Sequence, residues 1–240
     1  MKQNLLFIHG FRGNNLGLQG ITSQNFPSNK YNVYTLDIPP AGGKTIERFD
    51  AHHYARFIAD FIRSNKIEKP VLIGHSMGSI VAAAVAERYP ELIAEKIVFM
   101  SPISTKPARP FKVLVPLTIV LPNKMISYIT TSYLFIPKDK NLKKNTLATT
   151  IKCGADFTTK KDVLRSAKFS ISYSIEDFEF KQKPLFICGE KDRLIPKSKT
   201  EKVAKKFNGE IHYIKNSGHL INYEAPSEVA KIVKQFISKK

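Results

Sequence analysis

Short apolar runs alternate along the chain with longer amphipathic stretches. The runs are only a few residues long and apolar at consecutive positions, which is typical of strands covered on both faces by helices. The predicted strands are Leu5–Ile8, Asn32–Asp37, Val71–Ile73, Ile97–Met100, Leu185–Cys188 and Ile211–Ile214. The predicted helices are Ile46–Ser64, Met77–Tyr89, Lys199–Phe207 and Ser227–Ser238. This order predicts βαβ units, and therefore an α/β fold with a mostly parallel sheet flanked by helices.

The alternation stops after the fourth predicted strand, and residues 104–183 show no regular βαβ rhythm. This stretch begins with an apolar run at 111–122 and continues as a polar, lysine-rich segment from 138 to 161. Lysine and proline interrupt the apolar run before the roughly 20 apolar residues of a membrane-spanning helix accumulate. We therefore predict one core, formed by 1–103 and 184–240, with a helical cap inserted at 104–183. An extra layer of ordinary core is the alternative.

The most specific motif lies where the third predicted strand meets the helix that follows it. Residues Gly74–Gly78 read Gly-His-Ser-Met-Gly, the G-x-S-x-G pattern in a strand-turn-helix context. A serine on such a strained turn presents its hydroxyl above the sheet, while the flanking glycines let strand and helix pass closely. We predict that Ser76 is a nucleophile. The N–H of Met77, at the helix N-terminus, is one predicted donor to a developing oxyanion.

A second loop offers the other oxyanion donor. Directly after the first predicted strand the chain reads His-Gly-Phe-Arg-Gly over 9–13. An oxyanion hole needs a second N–H from a neighbouring strand's loop, and glycine beside it lets the backbone approach. The N–H of Phe11 is the predicted donor. The alternative is a simple glycine turn, with His9 as a hydrogen-bonded core residue.

The predicted acid and base follow the last two strands. Asp192 lies on the loop after Gly189, where a carboxylate can accept the imidazole N–H and fix its tautomer. Glu190 comes too early in this loop and is expected to make structural hydrogen bonds. His219 follows a glycine in the loop after the final strand. Of the six histidines, it alone falls in such a loop at the correct point in the chain.

With these motifs in hand, the sequence resembles the α/β-hydrolase superfamily, and within it the small esterase, lipase and C–C hydrolase group. The resemblance runs over nearly the whole chain, and the order nucleophile, acid, histidine is that of the family. Family members typically carry an Asp-Leu-Pro-Gly-His-Gly-like stretch where 37–43 here lacks the histidine, a change that leaves the three site residues untouched. The family's first two strands are absent from the prediction.

The resemblance implies an α/β-hydrolase fold with a cap, and a serine hydrolase that cleaves carboxylic esters of short to medium acyl chains through an acyl-enzyme. Thioester hydrolysis, acyl transfer, perhydrolysis and C–C hydrolysis or lyase chemistry use the same three residues and stay open. A non-catalytic receptor for a small ligand is a further alternative. Relatives with an aspartate nucleophile, the haloalkane dehalogenases and epoxide hydrolases, are excluded by Ser76.

Charge and cysteine content limit the partners and cofactors that we expect for this protein. The formal net charge is +18, but the lysines are scattered and accompany no nucleic-acid-binding motif, so we expect a solvated basic surface, no nucleic acid, and at most weak, peripheral membrane contact. Cys153 and Cys188 are expected to be buried and reduced, and no motif implies a metal or organic cofactor. A strand that begins almost at once leaves no room for a signal peptide, and a cytoplasmic location is expected. The oligomeric state stays open.

Overall fold

The computed structural model describes residues 2–106, 121–155 and 159–239. The sheet contains β1 (Gln3–Ile8), β2 (Tyr31–Leu36), β3 (Val71–His75), β4 (Lys96–Met100), β5 (Lys183–Gly189) and β6 (Glu210–Ile214). Its order is β2-β1-β3-β4-β5-β6, and every neighbouring pair is parallel. The α/β fold and all six predicted strands are confirmed. The sheet, predicted as mostly parallel, is parallel throughout the described strands.

Seven helices of ten or more residues lie in the described ranges. They are α1 (Ala51–Ser64), α2 (Met77–Arg88), α3 (Asn123–Leu134), α4 (Lys140–Ala155), α5 (Lys160–Ser172), α6 (Lys197–Lys206) and α7 (Pro226–Ser238), with single turns at Gln19–Thr22 and Ile221–Glu224. The first helix was predicted from Ile46 but begins at Ala51. The reason is a cap, because the Asp50 side chain accepts the His53 N–H at 2.9 Å.

Two apolar layers sandwich the sheet, as the consecutive apolar residues predicted. Leu6 and Ile8 of β1 point into the layer that contains α1 and α2. Leu5 and Phe7, the alternate residues, point into the layer that contains α7. Side chains on a strand alternate between its two faces, so each central strand needs apolar residues at every position. The carboxyl ends of these buried strands form the edge that carries the candidate site.

The stretch between β4 and β5 carries α3, α4 and α5, and its described residues form no strand, in line with the predicted break in the βαβ rhythm. Most of the apolar run at 111–122 lies outside the described residues. Lys183 is already the first residue of β5, one residue inside the predicted insertion. Cys153 and Cys188 are both buried thiols, as predicted, and the Cys153 thiol donates to Asn14 Oδ1 at 2.9 Å. No helix in the described ranges is long and apolar enough to cross a membrane.

Candidate active site

Ser76 lies on the turn that connects β3 to α2. Its backbone angles, φ 51° and ψ −118°, are those of a residue held in a strained conformation. The Ser76 N–H donates to the Met100 carbonyl of β4 at 3.0 Å, and the Ser79 hydroxyl donates to the Ser76 carbonyl. The strain is therefore maintained by hydrogen bonds to the neighbouring strand and to the first turn of α2.

The glycines of the motif let three backbone segments pack together. A Cβ on Gly74 would overlap the Gly78 carbonyl, and a Cβ on Gly78 would overlap the Ile8 carbonyl of β1. The structure thus confirms that both glycines permit close passage of strand and helix. Gly10 is equally close to the site, because a Cβ there would lie 3.0 Å from the Ser76 Cβ. The loop after β1 therefore runs directly beside Ser76.

His219 lies between Ser76 and Asp192. Its Nδ1 is 2.8 Å from Asp192 Oδ2, and its Nε2 is 2.8 Å from Ser76 Oγ. Because an ionised carboxylate only accepts hydrogen bonds, Nδ1 carries the proton and Nε2 accepts the hydrogen bond of the Ser76 hydroxyl. The imidazole and the carboxylate are 3% and 7% exposed, so water has little access to either. The three predicted residues are brought together in an arrangement suited to proton transfer, while their catalytic role stays a prediction.

Asp192 is fixed by its own loop. Its Oδ1 accepts the backbone N–H groups of Leu194 at 2.8 Å and Ile195 at 3.3 Å, which leaves Oδ2 for the imidazole. Burial pushes the pKa of Asp192 upward, but the charge and hydrogen bond of His219, together with the two N–H groups, hold the pKa below its ordinary value. Asp192 is therefore ionised at neutral pH. Glu190, by contrast, accepts the Asn216 N–H at 3.2 Å, the structural hydrogen bond that the sequence predicted.

The backbone of His219 is held from two sides. Its N–H donates to the Leu134 carbonyl at the end of α3, at 3.1 Å. Its carbonyl accepts from His75 Nε2 at 3.2 Å. Burial, and secondarily the nearby His219, lower the pKa of His75 to about 3, so this imidazole is neutral and its donated proton is fixed. A Cβ on the preceding Gly218 would overlap the Leu134 carbonyl, which explains why glycine precedes the histidine.

Glu224 is a further residue at this loop that the sequence did not reveal. Its Oε2 accepts the Gly218 N–H and its Oε1 accepts the Ile136 N–H at 3.3 Å, so one carboxylate ties the His219 loop to the segment after α3. Burial raises the pKa of Glu224 above its ordinary value, although these N–H groups oppose the shift. The only sequence signal was an acidic residue in a mostly apolar turn after His219.

The two predicted oxyanion donors both lie beside Ser76. Met77 is the first residue of α2, where backbone N–H groups have no acceptor within the helix. Phe11 follows Gly10 in the adjacent loop. That loop is fixed by His9, whose Nε2 accepts the Ile38 N–H at 2.9 Å while Nδ1 donates to the Gly10 carbonyl. The hydrogen-bonded core role that was the alternative for His9 is therefore observed, and it supports the loop. That Phe11 and Met77 bind an oxyanion stays a prediction.

A parallel α/β sheet with a serine on a strained strand-to-helix turn, hydrogen-bonded to a later histidine and aspartate, has the architecture of an α/β hydrolase. The sequence profile of the alpha/beta hydrolase family matches residues 5–232 of this chain. The chain therefore belongs to the alpha/beta hydrolase family, as its motifs indicated.

Individual relatives agree with this assignment. The hydrolase YugF of Bacillus subtilis (strain 168) is 24% identical to this chain, over an alignment of 251 positions that covers 98% of this chain and 90% of YugF. An esterase from Exiguobacterium antarcticum superposes with a TM-score of 0.85 at 15% identity, over 99% of this chain and 92% of the esterase. The carboxylesterase CesB of Bacillus subtilis superposes with a TM-score of 0.81 at 17% identity, over 99% of this chain and 84% of CesB. At these identities the two structures share the fold with this chain.

Proposed function

We propose that the protein is a serine hydrolase that cleaves carboxylic esters with short to medium acyl chains through an acyl-enzyme. The observation that carries the proposal is the unbroken hydrogen-bond chain from Ser76 through His219 to Asp192, with Ser76 on a strained turn. The names of the similar esterase and carboxylesterase add support for an ester as the substrate class.

In the acylation step, His219 Nε2 takes the Ser76 proton as Oγ forms a bond to the ester carbonyl carbon. The carbonyl π electrons move onto oxygen, and the N–H groups of Phe11 and Met77 stabilise the resulting oxyanion. The oxyanion then collapses and breaks the bond to the leaving alkoxide, which takes the proton from His219. Asp192 stabilises the imidazolium while it exists. The products of this step are the free alcohol and an ester on Ser76.

In the deacylation step, His219 takes a proton from a water molecule, which attacks the acyl carbon of the Ser76 ester. A second oxyanion forms and collapses, and Ser76 leaves with the proton held by His219. The carboxylic acid is released and the starting state is restored. No step requires a group from outside the protein except water and the ester.

Other reactions differ only in the leaving group or the acceptor. A thioester would release a thiol, an acyl transfer would replace water with an alcohol, and a perhydrolase would replace it with peroxide. Hydrolysis or lyase cleavage of a C–C bond would release a carbon leaving group. A receptor that binds a small ligand would keep the fold without turnover.

The proposal is tested with a fluorophosphonate probe and a series of p-nitrophenyl esters from acetate to palmitate. We expect one equivalent of label, mapped by peptide analysis to Ser76, and a rate maximum among the short or medium chains. The Ser76→Ala variant should take no label and lose turnover by on the order of 10⁶-fold, because the acyl-enzyme cannot form. Its melting temperature should stay close to that of the wild type.

Each outcome discriminates between the candidates. Label on another residue contradicts the assignment of Ser76. Labelling of Ser76 without ester turnover favours one of the other acyl acceptors or leaving groups. A folded protein that neither reacts with the probe nor hydrolyses any ester contradicts the proposal and favours a binding protein.

A further inference from the structure

Helix α3 exposes a row of large apolar side chains. Met125, Tyr128, Ile129 and Tyr133 are 49%, 60%, 46% and 44% exposed, and they lie on one side of the helix. We call these four residues the α3 face. Within the described ranges, these four are the large hydrophobic side chains that stay exposed. Such a concentration of exposed apolar surface marks an interaction site far more often than scattered single residues do.

The opposite side of α3 is buried and rich in hydroxyls. Ser127 and Thr131 are each 1% exposed. The Ser127 hydroxyl donates to the Thr150 carbonyl of α4 at 3.2 Å, and the Thr131 and Thr150 hydroxyls lie 3.1 Å apart. A helix that packs only for stability buries its apolar side and exposes its polar side. Here Ile126 is buried and the Arg193 guanidinium lies 5.7 Å from the centre of the Tyr133 ring, but Met125, Tyr128 and Ile129 stay exposed. Packing among the described residues does not account for these three side chains.

Lysines flank helix α3 along the chain. Residues 121–155 contain six lysines and a single acidic residue, Asp139. Exposed lysines lie at both ends of the helix, with Lys124 in its first turn and Lys138 and Lys140 shortly after its last turn. An apolar face with tyrosines, flanked by lysines, matches the cross-section of an anionic bilayer, in which apolar residues reach the acyl region, tyrosines sit among headgroups and cations meet phosphate.

The C-terminal end of the helix that carries the α3 face is hydrogen-bonded to the candidate site. The Leu134 carbonyl, at the end of the same helix, accepts the His219 N–H, and Ile136 N–H donates to Glu224. A surface in contact with this face therefore lies next to the element that holds His219.

We propose that the α3 face docks on an anionic lipid bilayer, with its flanking lysines against the headgroups. The docking does not depend on ester hydrolysis. It is stronger than the weak, peripheral contact that the scattered lysines suggested, because the apolar side chains add to the electrostatic attraction.

The test is cosedimentation of the full chain with vesicles of phosphatidylcholine containing about 30% phosphatidylglycerol. Ser76→Ala is the background, so that turnover cannot alter the vesicles. We expect Tyr128→Ser/Ile129→Ser to weaken binding by about tenfold or more without changing the melting temperature, because two exposed residues lose their insertion energy. Lys138→Ser/Lys140→Ser should weaken it by roughly tenfold.

The matched control removes the same charge from another helix. Lys202 and Lys205 are exposed on α6, which packs on β5 and β6. Lys202→Ser/Lys205→Ser should bind within about twofold of the background protein, since these lysines lie outside the contact. An equal loss in both lysine variants would show that net charge alone drives binding, and would overturn the docking proposal.

Three other results would also overturn it. In the first, the background protein does not sediment with these vesicles although the wild type hydrolyses p-nitrophenyl esters. This result separates failure of docking from failure of the proposed reaction. The second is unchanged binding by Tyr128→Ser/Ile129→Ser. The third is concentration-dependent dimerisation in analytical ultracentrifugation that the same variant abolishes, which would assign the α3 face to a second copy of the chain.

Discussion

Helices α2 and α3 are both twelve residues long, yet they use their apolar residues in opposite ways. Every residue of α2 from Met77 to Ala86 is buried, against the sheet and α1. Helix α3 buries Ile126, Ser127 and Thr131 and exposes four other large apolar side chains. The residues of α2 are therefore explained by packing within the core. The exposed apolar residues of α3 are not, and they fit the proposed contact with a bilayer.

Ser76 and His219 of the candidate site also differ in which parts of the fold hold them. Ser76 is held by the Met100 carbonyl of β4, by the Ser79 hydroxyl of α2 and by the loop after β1. None of these described contacts involves the segment between β4 and β5. His219 is held by the core through His75 and Asp192, but also by the Leu134 carbonyl at the end of α3. The serine is therefore a fixed element of the core, and the histidine depends on both regions.

Among the variants that test this contrast, the largest expected effect comes from the core carboxylate Asp192. Asp192→Asn should lower kcat by roughly 10⁴-fold, because the amide no longer holds the His219 tautomer that accepts the serine proton. The measurement is steady-state hydrolysis of the preferred p-nitrophenyl ester, with circular dichroism to establish folding. Activity close to that of the wild type would move the acid to another residue.

The same variant makes a prediction for stability against pH. The pKa of Asp192 is lower in the folded protein than its ordinary value of 3.8, so its ionised form stabilises the fold above that pH. This contribution is lost as the pH falls below 3.8 and through the folded value. The gap between the urea midpoints of wild type and Asp192→Asn should therefore be largest near neutral pH and shrink in acid. A gap independent of pH would contradict the assigned shift.

Two isoleucines test the contrast between the helices directly. Ile80 of α2 is fully buried, whereas Ile129 of α3 is 46% exposed. Ile80→Ala should cost about 2–5 kcal/mol of unfolding free energy through lost burial and a cavity. Ile129→Ala should stay within about 0.5 kcal/mol, since its side chain has little burial to lose. Denaturant unfolding measures both, and a large cost at Ile129 would mean that the α3 face supports the fold.

A pair of glycines tests how tightly the Ser76 turn is packed. Gly78→Ala should destabilise the protein by at least about 2 kcal/mol, because the new Cβ would overlap the carbonyls of Ile8 and His9. Gly20→Ala is the control, since the nearest atom to its Cβ would be 3.6 Å away, an ordinary contact. The control should be neutral or slightly stabilising. Equal melting temperatures for the two variants would contradict the close passage of β1 and α2.

Much of this molecule could be predicted from the sequence because parallel strands buried on both faces leave a strong signal. Consecutive apolar residues predicted all six strands, and the loops that follow them held Ser76, Asp192 and His219. The predictions worked because the carboxyl ends of parallel strands meet at one edge. Boundaries were less well predicted, since the start of α1 depends on the Asp50 cap rather than on apolar periodicity.

What the sequence did not reveal depends on contacts between segments that are distant along the chain. The link from Leu134 to His219 joins residues far apart and uses a backbone carbonyl, which leaves no residue-type signal. The outward direction of the α3 face is equally hidden, because periodicity identifies an apolar side of a helix without saying what it faces. Glu224 is a third case, since its two N–H partners come from different segments.

Glu224 gives the smallest expected effect and the sharpest test of how the segment between β4 and β5 is coupled to the His219 loop. One carboxylate oxygen accepts the Gly218 N–H and the other accepts the Ile136 N–H. In Glu224→Gln an NH₂ group replaces one of these oxygens, so one of the two N–H donors loses its acceptor. We expect kcat to fall about tenfold while KM for a short ester changes less than about twofold, because the imidazole is misplaced but the binding of a small acyl group is not.

The matched control is Glu190→Gln, an equivalent change in a carboxylate that accepts the Asn216 N–H on the other side of the same loop. Asn216 precedes Gly218 and His219 in the chain, so this variant should keep kcat within about twofold of the wild-type value. Equal losses in both variants would indicate general loosening of the loop. A loss of kcat confined to Glu224→Gln, at an unchanged melting temperature, would establish Glu224 as the residue through which the segment after α3 positions His219.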